Sequence, residues 1–243
     1  MKPPRSSWHD LPDAFIHAPE SAVKKHPHYA AAKSGDAAAA EALLADTFNP
    51  TVARTLATVV GAEPPILLSA HAYEKEGVNA IPEAFANSLG RLLGWPVDAG
   101  IVQSNVVAHT GADGFSRLAR PAEFEGAVAP GAAYVLVDDF VGMGGTLANL
   151  KGYVETQGGR VVAATALTGK PFSAKLAVSP ERLRELRAKH GNDLESWWHH
   201  KFGHAFDALT ESEARYLTRT ADVDTIRNRL AAAEQAGDRS KGS

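Results

Sequence analysis

The sequence predicts an α/β fold, a parallel sheet flanked by helices, with a helical N-terminal cap and a helical C-terminal extension. Three observations predict it. From Pro64 to Pro171, short apolar runs that end in polar or glycine-bearing loops alternate with amphipathic stretches, the pattern of right-handed strand-helix-strand units. Two of the runs, Tyr134-Val-Leu-Val137 and Val161-Val-Ala-Ala164, are almost continuously apolar, as strands covered on both faces must be. On either side of this region the alternation stops and helical periodicity takes over. The expected organisation is a helical cap over residues 1–63, an α/β core over 64–171, and a helical extension over 172–243 that ends in a disordered polar tail.

Each element follows from local chemistry. In the cap, Pro27 to Lys33 reads as a helix closed by Ser34-Gly35, and Asp36 is placed to cap a second helix to about Phe48. Asn49-Pro50 then opens a third, Thr51 to Val60, which Gly61 ends. Leu43, Leu44 and Phe48 give this alanine-rich stretch an apolar stripe, so it packs rather than links. The core strands are expected at Ile66 to Ala70, Gly100 to Gln103, Ala133 to Val137 and Arg160 to Leu167. A helix after the first has Pro82 in its first turn, Phe85, Leu89 and Leu92 on one face and Gly94 beyond its end. Another follows the third strand, with Leu147, Leu150 and Val154 on one face and a Gly158-Gly159 stop. Past Pro171 the chain reads as helices over Pro180 to His190, Leu194 to Phe202, Glu211 to Thr218 and Val223 to Gln235.

Composition narrows the function classes. The 243 residues are 44% hydrophobic and 22% charged, enough to bury a full core. A net charge of -3, with no basic cluster, argues against nucleic acid as partner but admits a small anionic ligand. Without cysteine there is no thiol nucleophile, thiolate metal site or disulfide. No apolar run approaches ~18 residues, so no membrane association is expected. The N-terminus lacks a secretory hydrophobic region, and a cytoplasmic location is expected.

The segment that carries chemistry is Tyr134 to Thr146. A strand ends in Asp138-Asp139 and is followed by the turn Gly142-Met-Gly-Gly-Thr146 and a helix. Glycines let successive backbone N–H groups converge on a phosphate at a helix N-terminus, and Thr146 can add a hydroxyl while capping that helix. Paired carboxylates beside such a cradle suit a polyol, accepting from sugar hydroxyls or receiving a divalent ion through water. Together they describe a pocket for a sugar 5-phosphate.

Val135 to Thr146 resembles the signature of type I phosphoribosyltransferases. The resemblance implies that Asp138 and Asp139 hold the ribose hydroxyls and magnesium, and that Gly142, Met143, Gly144, Gly145 and Thr146 hold the 5-phosphate of phosphoribosyl pyrophosphate. Two departures stand out. Met143 lies where the family commonly has threonine, and Gly142 lies where the hypoxanthine and guanine branch has a carboxylate. The family's pyrophosphate loop would fall in Ser69 to Pro82, where Lys75, Gly77 and Asn79 are the candidate contacts; this stretch resembles the ComF-like members. His71 and Tyr73 in the same stretch can equally be packed at the loop base. The long connection Asn105 to Gly126 corresponds to the family's site-closing loop, from which Arg117 and Arg120 would reach the departing pyrophosphate. His109 and Asp113 in that loop receive no role. Lys170, in the strand exit Thr168 to Pro171, is the candidate contact to the acceptor.

The expected activity is a pentosyltransferase reaction, transfer of the 5-phosphoribosyl group to a nitrogen acceptor with release of pyrophosphate and magnesium as cofactor. Dimers are frequent in families of this kind. A competing reading is a non-catalytic regulator that binds phosphoribosyl pyrophosphate or a nucleotide on the same fold, favoured by Met143 and Gly142. A dinucleotide-binding dehydrogenase would need a glycine-rich turn after the first strand, where His-Ala-Tyr-Glu-Lys stands instead. His200 and His204 have a zinc-compatible spacing but no evident third ligand, so Trp197 to His204 reads as an aromatic packing layer.

Overall fold

The computed structural model describes residues 4–8, 11–69, 71–74, 77–105 and 113–241. In chain order, β1 (Phe15–Pro19) leads through α1 (Glu20–Lys24), α2 (Tyr29–Lys33), α3 (Ala37–Thr47) and α4 (Pro50–Val60) to β2 (Ile66–Ser69). A small hairpin, β3 (His71–Glu74) and β4 (Gly77–Val78), precedes α5 (Ile81–Leu93) and the short strands β5 (Val97–Asp98) and β6 (Val102–Gln103). Next come α6 (Gly114–Ala119), β7 (Phe124–Glu125), β8 (Ala133–Val141), α7 (Gly145–Thr156) and β9 (Arg160–Gly169). The chain ends in α8 (Pro180–Phe202), α9 (Glu211–Arg219) and α10 (Val223–Lys241).

The architecture is a parallel five-stranded sheet, ordered β1-β9-β8-β2-β5, flanked by helices. Side chains alternate across β8: Val135 and Val137 join the core under α3, α4 and α5, while Tyr134 and Leu136 join the one under α7. Both faces are therefore dry, which is why this strand reads as an uninterrupted apolar run. Local caps act as the sequence implies. Asp36 Oδ1 accepts from the Ala39 N–H, Asn49 Oδ1 accepts from Thr51 and Val52, and Gly94 closes α5 in the left-handed conformation.

Several expectations need correction. The cap is not purely helical: β1 lies at the sheet edge, parallel to β9, where the Thr165 and Thr168 hydroxyls donate to the Phe15 and Ala18 carbonyls. The run expected at Gly100 to Gln103 does not join the main sheet. Val97 and Asp98 take that place beside β2, and Val102–Gln103 pairs with β3 and β7 in a second sheet ordered β4-β3-β6-β7. The stretch after β2 is thus a hairpin rather than an open loop. The connection expected as a structureless lid contains α6 and β7, and Phe115 and Leu118 of α6 are buried with Leu186, Trp198 and Leu217 of the C-terminal helices. The helices expected at 180–190 and 194–202 are there, the two halves of α8 parted by the non-helical Gly191 (φ 74°), whereas α10 continues through Lys241 where a disordered tail was expected.

An N-terminal arm straps across α7. Trp8 is buried, and the Lys151 ammonium donates to Ser6 Oγ, the Ser7 carbonyl and Glu155. A β-carbon on Gly152 would stand 2.1 Å from the Pro4 carbonyl oxygen, so only glycine allows the crossing. Among the described residues, no helix is long and apolar enough to cross a membrane.

Candidate functional site

The strand that carries the paired acids ends at Val141, and α7 starts at Gly145, so the intervening turn sits at the C-terminal edge of the sheet, where ligands of parallel sheets bind. Gly144 caps α7 with φ 81° and makes no side-chain cap bond, so Thr146 is not the capping residue expected. The turn is held from outside. Thr210 of the C-terminal extension donates its hydroxyl to the Met143 carbonyl, and its methyl group and Leu176 pack on Gly144. Met143 turns toward the cluster formed by the C-terminal helices, so its side chain helps brace the turn against that extension.

A cleft of about 460 Å³ lies against this turn. Its walls include Asp138, Asp139, Gly142, Met143, Gly144, Gly145 and Thr146, with Asn79 from beside α5, Arg117 from α6 and Arg120 just past the end of α6. Folding thus brings the two acids, the glycine turn and both candidate arginines to one place. Arg117 lies across the bare face of Gly142, where a β-carbon would stand 3.0 Å from its Nη1. The buried Nε of Arg120 has no hydrogen-bond partner among the described residues.

The two acids are chemically unequal. The Lys33 ammonium donates to Asp139 Oδ2 at 3.1 Å, and the Asp139 N–H donates to Asp138 Oδ1 at 2.8 Å. Asn79 Oδ1 accepts from the Ile81 N–H and leaves its amide hydrogens to Asp139. Burial, the neighbouring Asp139 charge and a hydrogen bond to that carboxylate hold the Asp138 carboxyl well above the usual carboxylate range. Burial also opposes charge on Asp139, but the Lys33 ammonium and hydrogen bonds from Lys33, Asp138 and Asn79 outweigh it and hold that carboxyl low. The pair therefore resists carrying two charges, with Asp138 favouring its protonated form and Asp139 its charged form.

Cations outnumber acids in the cleft. Arg5 and Glu213 cancel through two bonds of 2.6 and 3.0 Å, Lys24 is paired with Glu20 and Lys33 with Asp139, and Arg117 and Arg120 line the same cleft. Neither Lys33 nor Arg5 carries a local signal for this place, because Lys33 meets Asp139 106 positions away and Arg5 meets Glu213 208 positions away. Other expected residues lie elsewhere. Lys75 and His109 fall outside the described residues, and Gly77 is in β4. Lys170 lines an adjoining pocket of about 340 Å³ that shares Lys24, Arg117, Phe140, Gly142 and Met143 with the cleft. His204 packs edge-on to Trp198 and beside Phe202 in an aromatic layer.

No family model matches the chain. It is 40% identical over 229 residues to protein TraN of Escherichia coli, an alignment that covers 94% of this chain and 51% of TraN. It is 39% identical over 151 residues to an uncharacterized protein of Haemophilus influenzae, covering 62% of this chain and 34% of that protein. The chain spans about half the length, or less, of the curated relatives it matches. Solved structures similar to it include an adenine phosphoribosyltransferase from Thermoanaerobacter pseudethanolicus, at 23% identity and a TM-score of 0.34, covering 56% of this chain and 71% of that one. A hypoxanthine phosphoribosyltransferase from Staphylococcus aureus matches at 12% identity and a TM-score of 0.38, covering 54% and 65%. Overlaps this loose fix no residue-level correspondence.

Proposed function

We propose that the chain binds phosphoribosyl pyrophosphate in the cleft at the end of β8 and transfers its 5-phosphoribosyl group to a nitrogen acceptor. What carries this reading is the meeting, in one cleft, of the Asp138-Asp139 pair, the open N-terminus of α7 and the cations Arg117 and Arg120. The amides of the turn suit a terminal phosphate, the unequal acids suit a vicinal diol, and the arginines suit a leaving pyrophosphate. The resemblance to ComF-like members, carried here by Gly77 and Asn79, belongs to the same proposal, as do a cytoplasmic location and a homodimer.

In the proposed reaction the acceptor nitrogen gives its lone pair to the anomeric carbon while the bond from that carbon to oxygen breaks. Pyrophosphate leaves with the electron pair, and any proton on the nitrogen passes to water. Negative charge grows on the leaving group, where fixed guanidinium groups stabilise it most. Positive charge grows on the ribose, beside the ionised Asp139. Asp138 and Asp139 fit a magnesium ion only with oxygens from the ligand, since no group of three or more such side chains stands ready among the described residues. When bound, the ion would offset pyrophosphate charge.

The Lys33–Asp139 ion pair favours a second reading, a regulator that binds phosphoribosyl pyrophosphate without turnover, because the lysine holds an oxygen the ribose would use. Calorimetry with phosphoribosyl pyrophosphate, with and without magnesium, tests the binding, and a pyrophosphate-release screen over nitrogen heterocycles tests the transfer. Binding without release across the screen would favour the regulator; no binding would end both.

A further inference from the structure

A chamber of about 720 Å³ shares Arg5, Pro121 and Asn149 with the cleft and is otherwise lined from the end of α6, the end of α8 and α10. Among the described residues, its lining includes neither the acid pair nor the glycine turn, so it stands apart from the transfer site. Its size falls in the range of about 300–1,000 Å³ that small-molecule sites occupy.

The walls supply flat apolar surface. Trp198 lies against Phe202 with ring centroids 4.3 Å apart, and Trp197 meets Phe202 edge-on at 6.4 Å. Trp198 is buried, whereas Trp197 and Phe202 are half-buried and keep part of their rings open to an occupant. Aromatic walls of this kind favour another ring, stacked or edge-on.

Two buried donors in this lining have no acceptor. Asn149 is 1% exposed, and its Oδ1 accepts from Arg5 Nε at 2.6 Å. Because that bond fixes which end of the amide carries oxygen, the Nδ2 group has no hydrogen-bond partner among the described residues whichever way the density of an amide is read. The indole N–H of Trp198 is buried and unpartnered in the same way. Asn149 stands in the wall shared with the cleft, whereas Trp198 lines this chamber and not the cleft. A buried N–H without an acceptor is costly, and an oxygen brought to it recovers that cost on binding.

The charges in the lining are matched. Arg5 is held by Glu213 and Lys201 by Glu234, and Glu123 adds a further carboxylate. Burial, with the nearby Arg5 charge, holds His204 down to about 4, so its ring is neutral near neutral pH. Such a lining favours a neutral occupant over an anion.

We propose that this chamber is a second ligand site, for an uncharged planar aromatic molecule that presents carbonyl oxygens to the unused N–H groups of Trp198 and Asn149. The proposal goes beyond the transfer reading and does not depend on it.

Acetophenone and ethylbenzene differ by one carbonyl oxygen, and benzoate replaces the neutral carbonyl with an anion. Each is titrated into the full chain and followed on the indole N–H signals of its four tryptophans in proton-nitrogen correlation spectra. The Trp198 signal is identified by its loss in Trp198→Phe, or by nuclear Overhauser contacts in the wild type if that variant does not fold. Acetophenone should bind about tenfold more tightly than ethylbenzene, bind more tightly than benzoate, and shift the Trp198 N–H downfield. In a folded Trp198→Phe the preference for the ketone over the hydrocarbon should fall severalfold. Equal affinity for ketone and hydrocarbon overturns the proposal, as does ketone binding that leaves the Trp198 signal in place or tighter binding of benzoate.

Discussion

Replacing Asp138 with asparagine should make the apo protein more stable while weakening ligand binding. The Asp138 carboxyl is held well above its ordinary range by burial, by the adjacent Asp139 charge and by their mutual hydrogen bond. Asparagine is the neutral isostere of the protonated acid. Its carbonyl can still accept from the Asp139 N–H, as Asp138 Oδ1 does at 2.8 Å, and its amide can donate to the Asp139 carboxylate. Two like charges about 4 Å apart repel by about 4 kcal/mol at an effective dielectric near 20. Lys33 offsets part of this and proton uptake relieves more, so the net gain should be about 2 kcal/mol at pH 8. For a chain of this size that raises Tm by about 4–8 °C. Because the folded value is raised, the native state binds the proton more tightly than the unfolded one, and the wild type loses stability as pH climbs above 3.8. The advantage of the variant should therefore be large at pH 8 and fade toward pH 4. Differential scanning calorimetry of both proteins at the two pH values measures it; no gain at pH 8, or an equal gain at pH 4, would refute the account of an unequal pair.

Asp139→Asn should act with the opposite sign, destabilising the chain by about 1–3 kcal/mol at neutral pH, because it takes the carboxylate away from the partly buried Lys33. Its folded value is depressed, so chemical denaturation should show the difference from wild type disappearing as pH falls below about 3.8. Arg5→Met strands Glu213, 2% exposed, without its cation and should cost about 3–5 kcal/mol in urea titrations. Gly152→Ala should lift the arm off α7 and expose Trp8, seen as a red shift in tryptophan fluorescence and cleavage near residue 8 in limited proteolysis. Burial lowers His17 and His204 to about 4, with the nearby Arg5 charge adding to the shift at His204, so each ring should contribute a loss of stability between pH 6.5 and 4 as it is forced to charge, opposite in sign to the Asp138 contribution and read as the change, across that window, in the stability difference between wild type and His17→Phe. A difference that stays constant across that window would count against it.

Local chemistry determined much of this protein. The strands β2, β8 and β9 were legible because both of their faces are dry, and α3, α4, α5 and α7 because asparagine, aspartate, proline and glycine mark their ends. The acid pair and glycine turn were legible because strand, turn and helix are contiguous in sequence. What only the tertiary structure decided depends on distance along the chain. Phe15–Pro19 becomes a strand because β9 offers it an edge, and two-residue strands such as β5 exist only through their partners. Lys33 reaches Asp139, Thr210 reaches Met143 and Arg117 crosses Gly142 through packing that no local pattern encodes. Contiguous signals follow from backbone geometry within a few residues, whereas the protonation of the acids and the lining of the neighbouring chamber are set by groups that only folding brings together.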